Sequence, residues 1–165
     1  MIVVADTSPL NYLVTIGHDD LLPKLFGAIV IPPAVLEELS DPDAPEAVRR
    51  WAAVRPDWLH IQAAAGDILP IRNLGQGESE GIALALQLNA DLILIDDAEA
   101  REEAEKRKLT VTGTLGVLRL AGIQNLVDLQ EIIEKLLSTK FLCPLVCWPI
   151  FSPKWHSEQE TMIDK

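Results

Sequence analysis

A chain of 165 residues with 48% hydrophobic content is long enough to bury one domain and short for two. Its formal net charge of −11 argues against gripping phosphate through Lys and Arg alone, though bound divalent metals would reverse the sign locally. The apolar runs fall short of the roughly 20 residues a membrane span needs, and the opening MIVVADTSPL lacks the basic stretch of a signal or transit peptide, so a soluble, cytoplasmic protein is expected.

Short apolar strings alternate with helical patterns along the chain, the sign of an α/β fold with a parallel sheet. IVVA at 2–5 reads as the first strand, and in DTSPL Ser8 is a natural N-cap with Pro9 at the first position of a helix over 9–16. A helix over 19–26, the strand AIVI at 28–31 and a helix over 33–40 follow, the last opened by the prolines of IPPAVLEEL. Asp43 or Ala44 before Pro45 starts a helix over 45–54, and WLHI at 58–61 is the third strand. GQGESEGIALALQL predicts a helix over 78–89 that is apolar nearly all round and therefore mostly buried. LILI at 92–95, a helix over 97–107, LTVT at 109–112, a tight link from Gly113 to Gly116, and helices over 115–121 and 128–138 complete the pattern. Continuous Val/Ile/Leu strings without in/out alternation suit strands covered on both faces.

Beyond Ser138 no period is sustained, and prolines at 144, 149 and 153 exclude a continuous helix. The reading is a domain over 1–140 and an extension over 141–165 that is partly docked and frayed at its end. The apolar stretch FLCPLVCWPIF in that extension is expected to bury itself in a two-fold homodimer. Cys143 and Cys147, the only cysteines, lie there too. With one neighbouring histidine, His156, they fall short of a four-ligand zinc site and are expected to be free thiols of a reducing compartment.

The acids carry the chemistry. In a parallel sheet all strands end on one edge, where ligands bind, and Asp6 follows the first strand while Asp96 and Asp97 follow the fourth. On the helix of IPPAVLEEL, Glu38 lies about 105° and Glu37 about 155° from the centre of the apolar stripe, so Glu38 borders the interior and Glu37 faces water. Glu78 and Glu80 sit in the first turn of a largely buried helix; positions two apart differ by about 200°, and Glu80 is favoured as the inward one with Glu78 its close rival. Each acid also has a structural reading: Asp6, Asp96 or Asp97 as a helix cap, Glu78 and Glu80 as complements to a helix dipole. Jointly they describe a carboxylate cluster, which repels itself unless protonated or neutralised and suits Mg²⁺ or Mn²⁺ with phosphate completing the shell.

Other catalytic apparatus is missing. His18, His60 and His156 are scattered, no phosphate-binding loop or nucleophile elbow occurs, and DTS lacks the second Asp of a haloacid-dehalogenase-type phosphatase. A phosphoacceptor receiver domain would need an Asp after the third strand and a Lys after the fifth, which HIQAAAGD and VTGTLG do not supply.

The set VVADTSPL, IPPAVLEEL, LGQGESEGIALA, LILIDDAEAR and VTGTLGVL, with a weaker match in LLSTKFL, resembles PIN-domain nucleases and among them the small prokaryotic VapC-type toxins. The resemblance runs from about Met1 to Leu120. It implies an α/β/α sandwich around a five-stranded parallel sheet and metal-dependent cleavage of single-stranded RNA with one or two Mg²⁺ or Mn²⁺ ions. By the resemblance Asp6, Glu38, Glu80 and Asp96 are catalytic, and Asp6, Glu38, Glu78, Glu80, Asp96 and Asp97 are the pool of metal ligands. Ser8 and Thr112 match polar positions beside the metals, Arg101 a recurrent arginine, and Arg119 a basic position near LRLAGIQ. An antitoxin protein is the implied partner. The alternative is a catalytically inert interaction module on the same fold.

Overall fold

The computed structural model describes residues 1–66 and 71–141. Its elements run β1 (Val3–Ala5), α1 (Thr7–Thr15), α2 (Leu21–Phe26), β2 (Ile29–Ile31), α3 (Pro33–Leu39), α4 (Glu46–Val54), β3 (Leu59–Ile61), α5 (Gln76–Leu88), β4 (Leu92–Leu94), α6 (Ala98–Lys106), β5 (Val111–Thr112), α7 (Thr114–Ile123) and α8 (Leu129–Leu137). The strands form one sheet in the order β3-β2-β1-β4-β5. Every neighbouring pair is parallel, with Val4 opposite both Val30 and Ile93, and Ile93 opposite Val111.

Successive residues of a strand point to opposite faces, and both faces are covered. Val3, Ala5, Ile29, Ile31 and Leu94 enter one core with α1, α2, α3, α4, α7 and α8; Val4, Ile93 and Ile95 enter another with Ile82, Leu84 and Ala85 of α5 and Ala100 and Ala104 of α6. The result is the three-layer α/β/α sandwich expected. The unbroken apolar strings follow from it, because neither face of a central strand meets water.

Helix starts depart from expectation in ways that matter for the site. Asp6, not Ser8, is the N-cap residue of α1, so Pro9 takes the third helical position; it is tolerated because first-turn N–H groups have no intrahelical acceptor. α5 begins at Gln76 rather than 78. α7 begins at Thr114, which puts Gly116 inside the helix instead of in a link. Among the described residues no helix is long and apolar enough to cross a membrane. Phe141 packs edge-on against Tyr12, ring centroids 4.9 Å apart. The rest of the expected extension, with Cys143, Cys147, His156 and most of the stretch assigned to the dimer, lies outside the described residues.

Candidate active site

From β1 the chain builds outward through β2 to β3, then crosses to the other side of β1 for β4 and β5. The connections therefore diverge between β1 and β4, and the carboxyl edge there is the crevice an open α/β sheet offers a ligand. Asp6 continues β1 into that crevice, its N–H donating to the Leu94 carbonyl at 2.9 Å. Ile95 is held likewise by the Thr112 carbonyl at 2.8 Å and delivers Asp96 to the same edge.

Asp6 is 2% exposed and its Oδ1 has no hydrogen-bond partner. Burial pushes its pKa from 3.8 up to about 7; the Thr7 amide opposes this, Glu78 and then Glu38 push it further up, and the Ser8 amide pulls it down. A buried carboxylate oxygen without a donor, facing two more carboxylates, is costly in itself.

Glu38 accepts a hydrogen bond from the Thr7 hydroxyl and another from the Gly77 N–H at 2.9 Å. Both glutamates of α3 are exposed, so the expected difference in burial between Glu38 and Glu37 is not seen; Glu38 is the one hydrogen-bonded at this edge. A Cβ at Gly77 would stand 2.7 Å from Glu38 Oε1, so a larger residue there would displace the glutamate from this position.

The two glutamates of α5 are half-buried and engaged differently. Glu80 accepts from the Ala34 N–H at 3.2 Å and from Gln76 Nε2 at 2.9 Å. Pro32 and Pro33 have no N–H, so Ala34 carries the first free donor of α3, and Glu80 satisfies it. Glu78 reaches back to the Gly75 N–H at 2.8 Å as a capping acid. Its pKa is raised by burial first, against the pull of Gly75, and then by Asp97, Glu38 and Glu99. Glu78 is therefore the glutamate of this pair that stands electrostatically with Asp6 and Glu38.

Asp96 accepts from the Thr114 N–H at 2.7 Å and the Thr114 hydroxyl at 2.6 Å. Its pKa is nonetheless raised, burial outweighing those bonds and the Arg101 charge. Arg101 also donates to the Ile95 carbonyl at 2.8 Å, clamping the chain at the end of β4. Asp97 caps α6, accepting from the Ala100 N–H at 2.9 Å, as one of its structural readings expected. Three residues of this network, Thr7, Gly77 and Thr114, were not singled out from the sequence. The signal for each was faint: a hydroxyl beside a candidate acid, and a glycine in the first turn of an apolar helix.

Among the described residues no three His, Cys, Asp or Glu side chains are drawn around a common point that could hold a metal ion. The orphaned Oδ1 of Asp6, on which the charges of Glu78 and Glu38 act, is a hard anionic oxygen of the kind divalent cations take. Beside Glu38 opens a cleft of about 960 Å³ between α1, the α3–α4 connection and the end of α8.

A doubly covered parallel sheet that gathers carboxylates at its switch point is an α/β architecture with a ligand crevice at that edge. Residues 2–146 match the family model described as DUF3368: PIN domain, and the chain belongs to that family. A solved PilT N-terminus domain protein from the hyperthermophilic archaeon Sulfolobus solfataricus P2 has the same fold, with a TM-score of 0.50 and 16% identity over 87% of this chain and 100% of that one. No curated protein matches the chain.

Proposed function

We propose that the protein is a Mg²⁺- or Mn²⁺-dependent endoribonuclease that cuts single-stranded RNA and serves as a VapC-like toxin of a toxin–antitoxin pair. The observation that carries this reading is Asp6, a buried carboxylate at the switch point whose Oδ1 has no donor and whose neighbours are further acids. Asp6, Glu38 and Glu78 would hold the cation, with Asp96 and Asp97 beside them and Glu80 reserved for α3. A bound divalent cation supplies Lewis acidity to the phosphodiester and lowers the pKa of water. The chain's own part is to hold donors still: Thr7 and Gly77 fix Glu38, Gly75 fixes Glu78, and Thr114 fixes Asp96. The antitoxin partner would place a basic side chain against the acidic edge, and a net charge of −11 favours such a partner.

Cleavage of labelled single-stranded RNAs of varied sequence, with Mg²⁺, Mn²⁺ or EDTA, tests the proposal. Metal-dependent endonucleolytic products are expected; cleavage in EDTA, or none with any RNA, overturns it. The rival reading, an inert interaction module, is favoured by the engagement of both Asp96 oxygens with Thr114 and of Glu38 with Thr7 and Gly77. Calorimetric titration with Mg²⁺ separates the two, since the inert module gives no heat in the millimolar range.

A further inference from the structure

α1 buries Pro9, Leu10, Leu13 and Val14 and turns a different face to the cleft. Thr7, Asn11 and Thr15 follow one another at spacings of four, so they form one polar stripe. The stripe starts at the Thr7 hydroxyl on Glu38 and continues as the Thr15 hydroxyl donating to Asn11 Oδ1 at 3.2 Å. That bond occupies an oxygen of Asn11 and leaves its amide N–H donors for a ligand. A polar helix face is ordinarily just solvated; here Asn11, Tyr12 and Thr15 instead line a concavity of about 960 Å³, a volume typical of binding sites.

The two ends of the cleft differ in charge. One end is Glu38, continuous with the carboxylate edge; the other is the end of α8, with Lys135 and Lys140. Lys135 is paired with Glu131 at 2.8 Å, whereas Lys140 has no ion pair among the described residues. Ser138 and Thr139 donate to the Lys135 and Leu136 carbonyls at 2.6 Å each, which closes the helix end and fixes the chain that carries Lys140. Tyr12 stands between the ends: burial and then Asp96 push its phenol pKa up, and its hydroxyl reaches the Lys140 carbonyl at 3.5 Å.

We infer that this cleft seats the nucleotides adjoining the scissile phosphate of a single-stranded RNA, with Lys140 pairing with a backbone phosphate and Asn11 hydrogen-bonding a base. The inference rests on the nuclease reading above and adds to it where the strand lies. A ligand that satisfies both ends must carry anionic groups in series, one for cations at the carboxylate edge and one for an ammonium at the far end. A polynucleotide does so. From Thr7 to Thr15 the stripe spans about 12 Å of helix axis, room for roughly three nucleotides at the 3.4 Å rise of a stacked strand.

Steady-state cleavage of a labelled single-stranded RNA by the full chain, with Lys140→Gln, Asn11→Ala and Lys24→Gln as a surface control, tests the assignment. Lys140→Gln is expected to raise KM about fivefold with kcat within twofold, and to lower the salt slope of binding by about one unit. Asn11→Ala is expected to change the base preference beside the cut, and Lys24→Gln to change nothing. Unchanged KM, salt slope and base preference overturn the assignment while leaving the nuclease reading intact. If the unaltered chain cuts no RNA, the nuclease reading fails, and anisotropy of the same RNA in Ca²⁺ decides the cleft separately. Binding weakened by Lys140→Gln but not by Lys24→Gln supports it; absent or equal binding, or binding of an arginine-rich peptide that Asp43→Asn weakens, overturns it.

Discussion

Replacing Asp6 by Asn tests the electrostatics of the candidate site without requiring any catalytic activity. Asn matches the shape of the protonated carboxyl and cannot ionise. The Asp6 pKa stands at about 7 in the folded chain against an ordinary value of 3.8, so the folded state holds a proton that the unfolded chain releases. Stability therefore falls as pH rises from about 4 to about 7 and is flat above that. Between pH 5 and pH 8 the loss amounts to about 3 kcal/mol, at roughly 1.4 kcal/mol per pH unit over the two units below the folded pKa. For a domain of this size that is about 5–10 °C of melting temperature. Thermal melts of both proteins in EDTA at the two pH values give a double difference in which titrations common to both cancel. The Asn variant should gain about 5–10 °C over the parent on going from pH 5 to pH 8. Adding millimolar Mg²⁺ at pH 8 should then raise the melting temperature of the parent and not of the variant. A double difference within about 2 °C of zero would refute the claim that Asp6 is ionised at a cost.

The two glutamates of α5 should respond oppositely to amide substitution. Glu80→Gln keeps an acceptor for the Ala34 N–H and should leave RNA cleavage nearly intact, whereas Glu78→Gln should lower it by more than the roughly 100-fold typical of groups that only support a ligand; the reverse order restores Glu80 as the inward acid. Gly77→Ala would improve an ordinary helix by about 1 kcal/mol, but here its Cβ meets Glu38 Oε1 at 2.7 Å and must push that exposed side chain off the Gly77 N–H, so urea unfolding should show less than this gain while RNA cleavage falls. Thr114→Val removes the hydroxyl bonded to the buried Asp96 and should cost about 1–3 kcal/mol in the same assay. That loss should grow as pH rises through the Asp96 titration, because the bond favours the ionised carboxylate.

Most of the frame is legible in the sequence because burial on both sheet faces leaves unbroken apolar strings, and the edge rule then places Asp6 and Asp96 together. A regular helix of known phase assigns each position an angle, which singled out Glu38 over Glu37 but overstated its burial, since both are exposed. The different engagements of Glu78 and Glu80 turn on a helix boundary. The sequence GQGESEG argues for a start after its glycines, but α5 begins at Gln76, which makes Glu78 the third helical residue and lets it reach back to Gly75. Gly77 is helical because Glu38 occupies the space of its side chain, a tertiary cause invisible to local propensity. The strand order was not legible for a related reason: pairing β1 with β4 is a long-range choice that no local pattern encodes.

How a cluster of like charges survives folding follows from the same contacts. Glu38 is held by the first turn of α5, Glu78 by the N–H that precedes it, Asp96 by the start of α7, Asp97 by the start of α6 and Glu80 by the start of α3. In a parallel α/β sheet the helices that follow the strands begin at the carboxyl edge, so their positive ends converge where the acids do. Each such placement contributes about 0.3–1 kcal/mol, enough to offset much of the repulsion between partly solvated carboxylates. Asp6 differs in degree: the amides of Thr7 and Ser8 pull its pKa down, but burial outweighs them and Oδ1 stays without a donor. Five of its acidic neighbours can thus be satisfied by the fold alone, while the fold leaves Oδ1 of Asp6 to a proton or, on the proposed reading, to a cation.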